Sequence, residues 1–362
     1  MNRSAWKRVL GMLGTPVLAV VLGLAVGALL ILMSGVDPGK AYSTFIHGAF
    51  GTRTNIGNTL SIFIPLLLTG LSVAFAMQAR VLNMGAEGQL YFGALGATMV
   101  GLFLADLPRF VLLPLMLLGG FAFGALYGVI PGYLKAGRGV NEVVLTLMMN
   151  EIAIQLNSWA IRGPLHEPGG LLPQTAMVGV GARLPQLLRG TRVHYGLLLA
   201  LAAALTVWFI LRYTTFGYRI RAVGANPNAA RFAGMNVPGT MVLAMVAAGG
   251  LAGLAGAGEV AGIHYRLMDS ISPGYGYTGI SVALLGRKDP VGVAVAALLM
   301  ATLLSGAGAM QRGVGLPISI ASLVQAVIIL FILGTEYLSA TNWRPAFWRR
   351  IRARAAGEVR GS

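Results

Sequence analysis

Long apolar runs alternate with short polar breaks along this chain. Ten apolar segments emerge: Thr15–Ser34, Ile56–Met77, Gly88–Ala105, Phe110–Leu134, Val143–Ala160, Tyr195–Leu211, Thr240–Ala261, Tyr275–Gly286, Val291–Met310 and Leu316–Leu333. A helix of roughly 20 apolar residues crosses the ~30 Å hydrocarbon layer of a bilayer. The eighth segment is too short for a straight crossing and is expected to traverse part of the bilayer or to join a longer, broken element. A β-barrel would show short alternating segments instead. The pattern therefore predicts an all-α polytopic membrane protein of about ten transmembrane helices, one of them short or broken.

The polar stretch Thr214–Thr240 sits between two apolar runs and carries its own helix pattern. Asn226 can N-cap a helix, Pro227 suits the first position, Ala229, Ala230, Arg231 and Phe232 can continue it, and Gly234 can stop it. A short, capped, basic helix outside the bilayer is a handle for another protein. A second long break, Arg162–His194, contains Pro164, Pro168, Pro173 and Pro185. It can lie over the end of the bundle as an ordered cap or meet an external partner.

Composition agrees with the pattern. Of 362 residues, 56% are hydrophobic and 10% charged, against about 25% charged in soluble proteins. The net charge of +16 lies in loops and tails, where anionic lipid is a better partner than nucleic acid. Basic residues flank cytosolic membrane ends. With the N-terminus inside, 18 of the 27 Lys and Arg fall on the inner side, which places both termini in the cytosol. Arg3, Lys7 and Arg8 before the first apolar run superficially resemble a signal peptide. No small-x-small cleavage site follows, so the run is read as an uncleaved first helix. The expected organisation is a basic cytosolic N-terminus (1–13), a membrane domain (14–334) and a basic cytosolic tail (335–362). The membrane domain includes an external loop (162–194) and a cytosolic loop (213–239). Trp343, Phe347 and Trp348 in the tail fit an interfacial anchor.

Candidate chemistry is sparse. There is no cysteine, hence no disulfide or thiolate metal site. No Walker A string, H-E-x-x-H pair or G-x-S-x-G elbow occurs. Catalytic residues, metals and cofactors are thus not expected, and energy must come from elsewhere. The string Gly256-Ala-Gly258-Glu-Val-Ala261 mimics a dinucleotide motif but lies within an apolar span, where helix packing explains it. Gly249/Gly253 and Gly258/Gly262 have the spacing that lets helices approach closely.

Polar residues at membrane depth need a partner or a wet cavity. Asn83, Glu87 and Gln89, flanked by Gly85 and Gly88, can mark a broken helix facing a cavity or can cap the third helix at its inner end. Asn150 and Asn157, seven apart, share one helix face and can line a path or bond helices together. Tyr277, in the glycine-rich opening of the eighth segment, can stack on a base or sugar or belong to an aromatic belt. Glu259 is a lone acid near the outer end of its helix.

Four segments, VLNMGAEGQLYFGALGA (81–97), GVNEVVLTLMMNEIA (139–153), TTFGYRIRAVGANPNAARFAGM (214–235) and GYGYTGISVALLGRKDP (274–290), together resemble the membrane permease of a bacterial ABC importer. The branch is that of simple sugars and nucleosides, and the likeness is to the larger of two paired permeases. The resemblance implies a plasma-membrane importer with cytosolic ABC ATPase subunits, a second homologous permease forming a heterodimer, and an external substrate-binding protein or lipoprotein. It also implies that Asn226–Gly234 is the ATPase-coupling helix and that Asn83–Gln89 lies near the pathway. Glu151 departs from the family, which more often has an aromatic or apolar residue after the asparagine. A simple-sugar importer, or a stand-alone secondary transporter or channel, are the competing readings.

Overall fold

The computed structural model describes residues 21–340. The basic N-terminal residues and the Trp343–Arg360 tail lie outside them. Thirteen helices run through the described residues, with no strand among them. They are α1 (Val21–Met33), α2 (Pro38–Phe50), α3 (Arg53–Gln78), α4 (Ala86–Phe103), α5 (Arg109–Arg138), α6 (Glu142–Arg162), α7 (Gly196–Tyr213), α8 (Thr215–Ala225), α9 (Pro227–Phe232), α10 (Val237–Glu259), α11 (Tyr275–Leu285), α12 (Pro290–Val314) and α13 (Ile318–Ala340). A π turn, Val260–His264, prolongs α10. Each of the ten apolar segments contributes a helix. Five helices are long and apolar enough to cross a membrane: α3, α5, α7, α10 with its π turn, and α12. The bent pair α1–α2 makes a sixth if counted as one span.

The chain forms two compact units. The smaller holds residues up to Gly48 and from Gly306 onward. Its α1 and α2 meet at a bend of 117°. Ser34, Gly35 (φ 78°) and Asp37 make this turn, and Asp37 Oδ1 accepts from Gly39 N at 2.9 Å. Asp followed by Pro is a helix start, so α2 was visible in Asp37-Pro38 although the apolar pattern alone did not separate it.

In the larger unit, Ala49–Ser305, α3 is nearly enclosed and α4, α5 and α10 pack backbone to backbone. A Cβ at Gly249 would stand 2.3 Å from the Gly124 carbonyl oxygen, and one at Gly253 2.3 Å from that of Gly120. Small residues four apart thus form matching ridges on α5 and α10, as the glycine spacing predicts for membrane helices. Gly256 lies as tightly against Leu90 of α4, which accounts for the nucleotide-like string as packing. The Gly258/Gly262 pair behaves otherwise. Gly258 meets nothing, and Gly262 lies against the His194 ring.

Two ends of this unit can be told apart. At one, a Gly224 Cβ would stand 1.9 Å from the Gln78 carbonyl oxygen, so α8 rests directly on the end of α3. Gln78 Nε2 donates to Lys288 O at 3.0 Å, and Lys135 pairs with Glu142 at 2.6 Å. Arg80, Lys135, Arg219, Arg221, Arg231 and Lys288 collect here. At the other end, the loop 163–195 is tied along the chain that follows α10. Thr175 N donates to Leu267 O at 3.0 Å, Val178 N to Tyr265 O at 2.8 Å and Leu184 N to Ala261 O at 2.8 Å. Arg162 pairs with Asp269, and Arg266 with Glu167. The loop is an ordered cap on that end.

Candidate functional site

Two places gather the polar residues of the larger unit. The first is a junction of broken helices. The segment Val81–Gly85 is not helical, and α4 starts only at Ala86. Asn83 holds this break: its amide nitrogen donates to Ser72 Oγ at 3.2 Å and Gln89 Oε1 at 2.8 Å. Its oxygen accepts from Gly85 N at 3.1 Å and Gln89 Nε2 at 3.2 Å. Asn150 of α6 completes the repair, accepting from Gly88 N at 2.8 Å and donating to Met84 O at 2.9 Å. Free N–H groups at a helix start must be satisfied at membrane depth, and side chains do so here.

Glu87 serves a different helix. Its carboxylate accepts from Gly276 N at 2.6 Å, with the Gly274 and Tyr277 N–H groups and the Ser272 hydroxyl also within reach. It therefore caps α11 rather than α4, a placement that suits the positive end of a helix. A Cβ at Gly276 would stand 2.2 Å from Glu87 N, so glycine is what lets the two helix starts meet. Thr69 Oγ1 bonds Tyr275 O at 3.1 Å, fixing the start of α11 beside the middle of α3. The strap Tyr265–Gly274 comes down from the loop end, and α11 continues to the Lys288 end. The short eighth segment is thus continued by an extended strap. Asn157 Nδ2 donates to Met268 O of this strap at 3.2 Å, and Tyr91 Oη to Asp269 O at 3.3 Å.

Asn83, Glu87, Gln89, Asn150 and Asn157 are all buried, none more than 2% exposed. Asn83 and Gln89 bond each other, the others bond backbone, and Asn157 Oδ1 is buried without a partner. Tyr277 is 39% exposed. The hydroxyls of Thr69, Ser72 and Ser272 complete the junction and were not singled out in sequence, where they look like ordinary small residues in apolar runs. The Glu259–His264 pair (3.4 Å) was also missed, because the π turn that aligns them has no simple sequence period.

The second place is α9. Asn226 Oδ1 accepts from Asn228 N at 3.0 Å and Ala229 N at 3.1 Å, with Pro227 in the first position. Gly234 has φ 77°, and Met235 N closes the end by donating to Ala230 O at 3.0 Å. Ala230 packs with Val223 and Val237, while Phe232 is 95% exposed. The preceding residues form α8, unforeseen as a helix. Thr214 caps it, and its buried Gly217, Ile220 and Val223 recur at helical spacing.

In the loop before α7 and at the start of α6, two groups have shifted acidity. Burial lowers the His194 imidazole to about 4, and its Nδ1 accepts from Gly196 N at 3.1 Å. Burial acts to raise Glu142, but Lys135 outweighs it and holds the carboxyl below its ordinary range. No group of metal-binding side chains occurs among the described residues.

Apolar helices packed through glycine, broken helices joined at membrane depth and an exposed capped helix at the basic end define a multi-pass membrane transport component. Residues 55–333 match the family model of the branched-chain amino acid transport system / permease component, and the chain belongs to that family. It is 40% identical over 324 residues to a guanosine ABC transporter permease protein of Bacillus subtilis, covering 88% of this chain and 92% of the relative. A second guanosine permease protein of that organism is also similar. It is 36% identical over 347 residues to a glucose ABC transporter permease protein of Haloferax volcanii (93% and 91% covered). The nucleoside ABC transporter permease protein of Lactococcus lactis is 36% identical over 328 residues (88% and 89%).

Proposed function

We propose that this permease imports nucleosides or a related ribosyl or sugar solute across the bacterial plasma membrane. In this reading the chain crosses ten times with both termini in the cytosol. Separate ATPase subunits bind α9, a second permease pairs with this chain, and an external binding protein or lipoprotein delivers solute to the loop end. The observation that carries it is α9 itself: a capped helix at the end where Lys and Arg collect, presenting a fully solvated Phe232. An exposed aromatic on a rigid, charged tip is what an interface anchor requires. Movement of α9 would tilt α8 and α3, and with α3 the junction that Asn83, Glu87, Gln89, Asn150 and Asn157 hold together. In this role those five residues position the broken helices beside the pathway, and Tyr277 lies on it.

The test is ATP-dependent uptake of labelled guanosine by the assembled transporter in vesicles. Ala230→Pro removes the Ala230 N–H bond to Asn226 O, 3.0 Å in length, and breaks α9. Uptake is expected to fall at least 10-fold, and undiminished uptake would sink the coupling role. A sugar substrate is favoured by the glucose permease relative, and labelled glucose in the same assay decides between the two.

A further inference from the structure

On the face of α6 opposite the buried asparagines, the exposed apolar Val144 and Met148 of the first half give way to polar residues in the second. Glu151, Gln155, Trp159 and Arg162 lie along this one side, three or four residues apart, with Ser158 at its edge. Glu151 and Gln155 are exposed. Trp159 is 66% exposed. Glu151 stands about 14 Å from the start of α6 and about 17 Å from its end, at roughly 1.5 Å per residue. In the ten-span reading, where α6 is a crossing, that is mid-membrane. Among the described residues it makes no ion pair, and a carboxylate at that depth belongs to a wet path and not to lipid. Next to it, Tyr277 on α11 lies within electrostatic reach of Glu151 and Asn150. One to two turns further on, Gln155, Ser158, Trp159, Arg162 and Gly163, all of α6 or the residue that ends it, border a shallow surface cleft open to solvent.

We propose that this stripe is the solute route from the loop end to mid-membrane, with Glu151 and Trp159 selecting a nucleoside whose base carries adjacent N–H donors. The inference rests on the importer reading and names the residues and the substrate class within it. The chemistry is direct. A carboxylate accepts two hydrogen bonds side by side, which fits the paired N–H edge of a guanine and not the mixed donor and acceptor edge of an adenine. Trp159 at the cleft and Tyr277 at mid-depth offer flat faces on which any base can stack. Arg162 is held at the entrance by Ser158 and Asp269.

The chain has no cysteine, so single replacements report accessibility without background. In the full transporter, Glu151→Cys and Gln155→Cys are expected to react with a charged, membrane-impermeant thiosulfonate far faster than Leu205→Cys on α7. Guanosine delivered with the binding protein should slow that reaction. Labelling no faster than at Leu205→Cys overturns the route. In uptake assays, Glu151→Gln should raise the KM for guanosine roughly 10-fold or more, the cost of a charged acceptor, and change that for adenosine little. Trp159→Ala should raise both. Unchanged KM values in both variants overturn the selectivity. Failure of the nucleoside reading is distinct, since it shows in the wild-type transporter as uptake of glucose and of neither nucleoside, and it takes the base-selectivity claim with it. The labelling result, repeated with glucose as protectant, still decides the route.

Discussion

Asn83 makes four hydrogen bonds with one amide: one to the Ser72 hydroxyl of α3, one from Gly85 N and two with Gln89. Its importance was legible in sequence, because an amide, a carboxylate and two glycines inside an apolar run demand an explanation. What the sequence could not tell was the direction in which these side chains point. Glu87 lies in the first turn of α4 and caps α11, 189 residues away in sequence; only tertiary structure makes that pairing. The same holds for His194, whose ring is enclosed by Gly196 and Gly262. Its folded-state acidity, about 4, lies below the unfolded value of about 6.5. Stability from keeping it neutral is therefore complete above pH ~6.5 and is lost as pH falls toward 4, by up to about 3 kcal/mol. Thermal unfolding of the detergent-solubilised protein should show this decline between those pH values. A His194→Gln variant should flatten it.

Helices were the most readable element, since apolar run length reports them directly. The ones that escaped, α2 and α8, are those whose polar residues dilute the run. In each the cap was present in the sequence: Asp37 before Pro38, and Thr214 three residues before the Gly217 N–H it accepts from at 3.0 Å. The glycine spacing was half informative. Gly249 and Gly253 meet α5 as expected, whereas Gly258 meets nothing, because spacing reports a face and not what stands opposite. Gly253→Leu would drive a side chain into the Gly120 carbonyl and Gly124. Overpacking of this kind costs at least about 1–3 kcal/mol, and here backbone must move. The expected outcome is a protein that unfolds at clearly lower temperature, whereas Gly258→Ala should unfold near the wild-type temperature.

For the whole molecule, the Lys and Arg count predicts a basic inner side, and at the α8 end of the larger unit Arg80, Lys135, Lys288 and three arginines of Thr214–Thr240 come from four separate stretches of chain. Phe232 buries almost nothing within this chain, so Phe232→Ala should leave its own unfolding temperature unchanged. As an interface anchor it should nonetheless weaken recovery of the ATPase subunits on affinity purification, by about 2 kcal/mol or roughly 30-fold. Full recovery would remove α9 from the contact. The seating of α8 bears on how force would move through such an assembly. Gly217 and Gly224 set its backbone against the Ile210 and Gln78 carbonyls, with no side chain in between to bend or change rotamer. The joint has little compliance, so a displacement applied at the tip is delivered to the core at nearly full amplitude instead of being absorbed as elastic slack.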